Sequence, residues 1–255
     1  MSADPLRVLH VISGIDVGGA ENHLLTLCTC LAERDYDVTV AYLKGKGGLA
    51  DEFRAAGTSV VEVGIRADAD PLGFLNLVRH VRNADYDIVH GHLCHGNVYG
   101  VTAAALGGVP NIVSSKHNDP PFWRRQPYAF IHEVTLRQAD LVLPISDHVR
   151  EYLLANSRVE RAKVETDHYG LDPSPFDSVG EDIVAETRAE FVDDETPLLG
   201  TVARLTEQKD LETLLRSFAN VREDGTGAHL AIVGRGEQAE RLQSLAADLG
   251  VVPYV

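Results

Sequence analysis

The stretch LLGTVARLTEQKDLETLL, residues 198–215, shows how this chain is built. It starts as an apolar strand, passes into a short loop that carries Arg204 and Lys209, and continues as a helix with regularly spaced leucines. Parallel α/β sheets hold phosphates at such a place, because the free N–H groups of the next helix face the end of the strand. A solvated loop with two ordinary surface charges is the alternative, since Lys and Arg are mostly exposed. The stretch therefore predicts a strand–loop–helix unit with a candidate anion site.

Strand and helix patterns alternate through the 176 residues at the amino-terminal end. Helix-period segments separate apolar runs of strand length. This alternation predicts an α/β fold made of βαβ units, with a parallel sheet covered by helices on both faces. The predicted strands occupy residues 6–13, 37–43, 59–65, 86–92, 111–117 and 140–146.

A change of composition separates a second domain from the first. Residues 171–197 are rich in carboxylates and prolines and have no long apolar stripe, which predicts a linker and a new domain that starts near Asp177. The predicted domains are therefore residues 1–176 and 177–255. The second would contain strands at 198–205, 229–234 and 251–255 with helices between them, one βαβαβ half of a doubly wound domain.

Composition excludes several classes of protein. The 255 residues include 38 acidic and 23 basic side chains, a net charge of −15, which argues against a nucleic-acid surface. Three cysteines are too few for a disulfide framework, so a reducing cytoplasm is expected. No apolar run reaches the ~18 residues of a membrane span, and peripheral contact with a membrane surface is left open.

A glycine-rich loop precedes the first predicted helix. Gly18 and Gly19 follow the first strand and open that helix, where backbone N–H groups and the helix dipole favour an anion. The spacing is not G-x-G-x-x-G, which argues against a dinucleotide cofactor. Glycines that serve only a tight turn are the alternative.

Histidines cluster at the predicted carboxyl ends of two neighbouring strands. His90, His92 and His95, with Cys94 nearby, raise the question of a zinc site, but no carboxylate cluster completes one and we predict no metal. These side chains are expected to line a polar cleft. His117 is the best placed to reach a ligand, with a purely structural role as its alternative.

Seven segments in a fixed order carry a family resemblance. The chain resembles the retaining glycosyltransferases of the GT-B fold, in the family called glycosyl transferases group 1 or family four. The matching segments are ISGIDVGGAENHLLTL (12–27), YDIVHGHLCHGN (86–97), IVSSKHND (112–119), ADLVLPISDHVREYLL (139–154), HYGLDPSPF (168–176), GTVARLTEQKDLETLLRSF (200–218) and HLAIVGRGEQAERLQSLAADLG (229–250).

The resemblance implies an activity and an architecture. Two Rossmann-like domains would face a cleft, with residues 1–176 on the acceptor side and residues 177–255 on the side of a nucleotide-diphosphate sugar donor. The implied reaction moves a sugar to a hydroxyl of a glycan, lipid-linked or polysaccharide acceptor, with retention, no catalytic metal and no cofactor. Negative charge builds on the diphosphate as the sugar leaves, and without a metal the protein must supply cations.

The resemblance also implies roles for individual residues. Arg204 and Lys209 would neutralise the diphosphate, and His117 would contact the sugar or the reacting region. The backbone at Gly18 and Gly19 would approach the diphosphate, and Gly234 and Arg235 would lie near the nucleotide base.

Two departures from the family pattern qualify these expectations. Tyr169 stands where the family usually has asparagine, which affects the local turn chemistry. The Glu-x7-Glu motif that follows the last matched segment in the family has no counterpart, so we expect an incomplete donor domain with residues 251–255 as an exposed edge strand. A non-catalytic remnant that binds a nucleotide or a partner chain is therefore the second interpretation, and a metal-dependent hydrolase using His90, His92 and His95 is the third.

Overall fold

The structure is a computed structural model that describes residues 5–118, 121–193 and 195–255. The chain divides into two compact units, residues 1–171 and 172–255. The division falls a few residues before the predicted boundary at 176/177.

The first unit contains a six-stranded parallel sheet in the order β3-β2-β1-β4-β5-β6. This is the strand order of a doubly wound fold: β1 to β3 follow one another toward one edge of the sheet and β4 to β6 toward the other, so the switch point lies between β1 and β4. Ligands of such folds bind beyond the carboxyl ends of the strands at that switch point. The strands are β1 Arg7–Ile12, β2 Asp37–Tyr42, β3 Ser59–Glu62, β4 Ile88–Gly91, β5 Asn111–Lys116 and β6 Leu141–Pro144.

Helices cover both faces of this sheet, as the alternating pattern predicts. Successive side chains of β2 point to opposite faces, so Val40 and Tyr42 pack with Leu24, while Ala41 packs with Leu77 in a second cluster. The helices of this unit are α1 Gly19–Ala32, α2 Ala50–Ala55, α3 Pro71–Asn83, α4 Leu93–Gly96, α5 Thr102–Gly107, α6 Tyr128–Gln138 and α7 Asp147–Asn156, with a π-helical turn Asn97–Val101 between α4 and α5.

A glycine places α4 against the switch point. A Cβ atom at Gly96 would lie 2.5 Å from the Val11 carbonyl oxygen, so only glycine allows the backbone to approach β1 this closely. The helical segment begins at Leu93, directly after His92. The polar side chains after β4 are thereby held over the carboxyl end of β1.

The second unit is built on two parallel strands, β7 Leu198–Val202 and β8 His229–Val233. Helices α10 Leu211–Glu223 and α11 Ala239–Asp248 follow these strands, as predicted, and bury Leu215, Phe218 and Leu242 against Leu230.

The third strand predicted for this unit is wrong. Residues Val252–Tyr254 form a 3₁₀ turn, in which the Tyr254 N–H donates to the Val251 carbonyl. Gly250 turns the chain at φ +68°, Val251 is buried in the core, and Pro253 has no N–H for a strand ladder. The expected edge strand at 251–255 is therefore not formed.

The predicted linker contains two helices, α8 Ser174–Asp177 and α9 Glu181–Ala189. Neither buries a residue, which explains why no apolar stripe marks them in the sequence. Glu181 and Asp182 in the first turn of α9 and Arg188 in the last turn complement the helix dipole.

Candidate active site

Histidines converge at the switch point of the first unit. His10 of β1 is buried, and its Nδ1 lies 3.0 Å from Nε2 of His92, which follows β4. His90 of β4 is also buried, and its Nε2 lies 2.7 Å from the Ser115 hydroxyl of β5. His117 follows β5, with its ring 5.5 Å from that of His92. The parallel register of β1, β4 and β5 brings these residues to one edge of the sheet.

These imidazoles are neutral at pH 7. Burial is the main cause, and it lowers the pKa of His10 and of His117 to about 4. Burial and the neighbouring histidines also hold the pKa values of His90 and His92 well below 6.5. Neutral rings can donate or accept single hydrogen bonds, so the cluster offers polar contacts without adding positive charge.

The metal hypothesis based on His90, His92 and His95 does not match the geometry. His95 lies in α4, and its Nε2 is 3.0 Å from Asp68 Oδ1. The histidine that lies beside His90 and His92 is instead His10. One nitrogen each from His10, His90 and His92 lies within 4.8 Å of the others. The trio that the structure brings together is therefore His10, His90 and His92, and not the predicted trio that includes His95.

Tyr169 connects His117 with helix α1. Its hydroxyl is hydrogen-bonded to Nδ1 of His117, and its ring stacks on His23 of α1 with centroids 3.7 Å apart. Burial, and then the charges of Glu21 and Asp167, raise the pKa of Tyr169, so the phenol keeps its proton. We infer that it donates to Nδ1, which would place the proton of neutral His117 on Nε2. That nitrogen is buried, and it has no hydrogen-bond partner among the described residues.

A cavity of about 220 Å³ opens beside His117. Asn97 supports its floor, because its amide donates to the carbonyls of Leu93 and Ser115 and its Oδ1 accepts from the Ser114 hydroxyl at 2.5 Å. The buried Lys116 also reaches this space. The lining residues are Ser13, Leu93, Cys94, Asn97, Ser115, Lys116, His117, Asn118, Phe122 and Trp123.

The glycine loop sits where the sequence predicts, at the start of α1. Gly18 is the N-cap residue, Gly19 is the first helical residue, and the space next to Gly19 is open. The Glu21 carboxylate lies against Gly18, at the amino-terminal end of α1, where the helix dipole favours an anion. An anion bound here would have to displace that carboxylate.

The cationic loop of the second unit runs beside the loop that follows β8. The Leu205 N–H donates to the Arg235 carbonyl at 2.9 Å, and the Ala203 N–H donates to the Val233 carbonyl at 3.0 Å. A Cβ atom on Gly234 would collide with the Ala203 carbonyl, so the glycine is required for this contact. The structure thus brings residue 204 and residues 234–235 together.

The side chains of Arg204, Lys209 and Arg235 are exposed at this edge. Arg204 approaches Gln208, with Nη2 3.4 Å from Oε1, and Lys209 ends a short 3₁₀ turn just before α10. Cations therefore surround the carboxyl ends of both strands of the second unit.

Sequence reasoning missed three contributors to the first site. His10 is a histidine inside an otherwise apolar strand, and the sequence alone shows this irregularity. His23 and Lys116 give no such signal, because their importance depends on contacts with residues distant in the chain.

A switch-point site in a parallel α/β unit and a cationic edge on a second parallel unit are features of GT-B glycosyltransferases. Solved structures agree with this class: the crystal structure of Anabaena HepE in complex with UDP and glucose matches with a TM-score of 0.81 at 17% identity, over 98% of this chain and 68% of that one. Among the described residues, no helix combines the length and the apolar character needed to cross a bilayer.

The chain belongs to Glycosyltransferase Family 4, whose pattern matches residues 17–174, and residues 183–253 match Glycosyl transferases group 1. EpsF of Bacillus subtilis, assigned as a glycosyltransferase, is 26% identical over 98% of this chain and 68% of its own length. A GDP-mannose-dependent alpha-(1-6)-phosphatidylinositol monomannoside mannosyltransferase of Mycolicibacterium smegmatis is 29% identical over 60% of this chain and 40% of its own length.

Proposed function

We propose that this glycosyltransferase moves a sugar from a nucleotide-diphosphate donor to a hydroxyl of a glycan or lipid-linked acceptor, with retention and without a catalytic metal. The observation that carries the proposal is the pairing of the loops after β7 and β8, which presents Arg204, Lys209 and Arg235 at one edge. The relatives support it: HepE was crystallised with UDP, and the mycobacterial enzyme uses GDP-mannose.

The chemistry requires positive charge at the leaving group. When the glycosidic bond to the donor phosphate breaks, the diphosphate gains negative charge, and fixed cations stabilise that charge in the transition state. Arg204 and Lys209 supply this charge, and Arg204 can bind two phosphate oxygens at once. Gly234 and Arg235 lie near the nucleotide.

The first unit contributes a neutral polar site. His117, with its proton on Nε2, donates a hydrogen bond to a sugar oxygen without adding charge. The open space next to Gly19 would let a phosphate approach the N–H groups of α1 once the Glu21 carboxylate has moved away from Gly18. Peripheral contact with a membrane would give the enzyme access to a lipid-linked acceptor.

Calorimetric titration of the chain with UDP and GDP tests the phosphate site. We expect binding that EDTA does not change, and that Arg204→Ala or Lys209→Ala weakens about 10-fold or more, because charged hydrogen bonds contribute about 1.5–3 kcal/mol. Arg216→Ala, an exposed arginine of α10, is the matched control. Nucleotide binding that is lost on chelation, or that survives removal of both cations, contradicts the proposal.

Turnover separates catalysis from binding alone. Donor hydrolysis or transfer, followed by NMR of the product's anomeric proton, should show a product with the donor's anomeric configuration. Tight nucleotide binding with no turnover for any donor sugar would favour the non-catalytic interpretation, and an inverted product would contradict retention.

A further inference from the structure

Lys116 is a buried cation inside the cavity beside His117. Only 7% of the residue is exposed, although lysine side chains are rarely buried without a partner. Its Nζ lies 6.0 Å from the centre of the Trp123 ring. Among residues 5–118, 121–193 and 195–255, no carboxylate forms an ion pair with it.

Among the residues that the structure describes, the lining of this cavity supplies no carboxylate to offset the charge. The ten lining residues include no aspartate or glutamate, although the chain has 38 acidic residues against 23 basic ones. His117 is neutral, and Ser13, Cys94 and Asn97 are uncharged polar groups. Burial lowers the pKa of Lys116 to about 8, so the amine is still mainly protonated at pH 7. A buried ammonium without a counterion is costly, and an anion that enters the cavity would remove that cost.

We propose that this cavity binds an anionic group of the acceptor, a sugar carboxylate or a phosphate, through the ammonium of Lys116. The inference rests on the proposed function only in identifying the ligand as the acceptor. The anionic group would pair with Nζ, while the acceptor hydroxyl lies toward His117, the next residue in the chain.

The size and walls of the cavity suit a sugar that carries such a group. At about 220 Å³ it is smaller than the ~300–1,000 Å³ of pockets for drug-sized ligands, so it holds about one ring. Phe122 and Trp123 supply aromatic faces for the apolar side of that ring. Ser13 and Asn97 supply hydrogen-bonding groups for its hydroxyls.

Ligand titrations test the proposal without turnover. Trp123 is the chain's single tryptophan and lines the cavity, so its fluorescence reports occupancy. Methyl glucuronide and glucose 1-phosphate are compared with neutral methyl glucoside. We expect at least one anionic ligand to bind 10-fold or more tightly than the neutral sugar, and the preferred one identifies a carboxylate or a phosphate as the recognised group.

Variants assign the preference to Lys116. Lys116→Met should abolish the preference, and Lys116→Arg should retain most of it. Lys46→Met, at an exposed lysine of the same unit, should leave it unchanged. Equal binding of charged and neutral sugars, no binding of any of the three, or a preference that survives in Lys116→Met overturns the proposal.

A measurement on the unmodified chain guards against a variant that fails to fold. The NMR titration of ¹³C-labelled lysines should show the pKa of Lys116 rising by about one unit or more when the preferred anion saturates the cavity. An unchanged pKa overturns the proposal. UDP and GDP binding through Arg204 is measured separately, so a missing anion preference with intact nucleotide binding rejects only this inference.

Discussion

The Tyr169 hydroxyl is hydrogen-bonded to Nδ1 of His117, across 52 positions of the chain. Tyr169 is itself held by stacking on His23 of α1. Three separate segments therefore meet at one imidazole, and its other nitrogen, Nε2, has no hydrogen-bond partner among the described residues. We infer that the phenol donates to Nδ1, which would leave Nε2–H as a donor that a substrate could use.

Removal of the Tyr169 hydroxyl should remove the preference of His117 for one tautomer. We expect ¹⁵N NMR of the histidine side chains to show His117 as the Nε2–H form in the unmodified chain and as a mixture in Tyr169→Phe. Transfer should fall about 2- to 10-fold, the effect of one neutral hydrogen bond worth about 0.5–1.5 kcal/mol. Tyr36→Phe, at a partly buried tyrosine of the same unit, is the control. An Nδ1–H form in the unmodified chain would contradict the assignment.

Acid should destabilise the first unit through its buried histidines. Burial lowers the pKa of His132 to about 3, below the usual 6.5, so the unfolded chain binds more protons than the folded one between these values. Stability therefore falls as pH drops through about 6.5. Between pH 7.5 and pH 5, His132 alone should account for a loss of about 2 kcal/mol.

His132→Phe tests this contribution while it retains a ring against Trp123, which lies 4.4 Å away between ring centroids. Urea unfolding is followed by Trp123 fluorescence at both pH values. By linkage, the free energy of unfolding lost on acidification should be about 2 kcal/mol smaller in His132→Phe than in the unmodified chain. It should be unchanged in His168→Gln, which alters an exposed histidine. Equal losses in all three chains would show that His132 is not buried as a neutral ring.

The periodic pattern of the sequence was enough to predict most of the fold. Alternating strand and helix segments predicted the strands of the parallel sheet, because burial on both faces selects continuous apolar runs. The pattern failed at residues 251–255, where an apolar run reads as a strand but Pro253 and the turn at Gly250 produce a 3₁₀ turn. It also missed α8 and α9, which bury nothing.

The candidate site was only partly predictable. The position of His117 follows from its place at the end of a strand. The grouping of His10 with His90 and His92 depends on β1 lying beside β4, an adjacency that local pattern does not encode. The pairing of Tyr169 with His117 joins distant segments, and the resemblance pointed only to an unusual residue at position 169.

The close contact between the two loops of the second unit should not tolerate a side chain at Gly234. In Gly234→Ala the new Cβ would collide with the Ala203 carbonyl, which is backbone and cannot rotate away. We expect a loss of about 1–3 kcal/mol in stability, typical of overpacking, and weaker nucleotide binding. Thermal unfolding and UDP titration measure the two effects.

Gly200→Ala is the matched control, because a Cβ at that position in β7 meets nothing within 4 Å. This variant should keep its stability, since alanine also restricts the unfolded chain. If both variants behaved alike, the loop contact at Gly234 would not constrain this edge.

Lys116 should make the first unit more stable as the solution becomes alkaline. Burial lowers its pKa to about 8 from 10.5, so between these values the unfolded chain holds a proton that the folded chain has lost. Stability rises with pH wherever the unfolded state binds more protons. The penalty for the buried charge is thus largest below about pH 8, and about 2 kcal/mol of it should disappear between pH 7 and pH 9.5.

Other titrating groups change stability over the same range, so the comparison is between the unmodified chain and Lys116→Met, with Lys46→Met as the control. The difference in the free energy of unfolding between the unmodified chain and Lys116→Met should shrink by about 2 kcal/mol from pH 7 to pH 9.5, since the methionine has no proton to lose. A constant difference would show that the Lys116 ammonium is not buried and would remove the basis for an anion in its cavity.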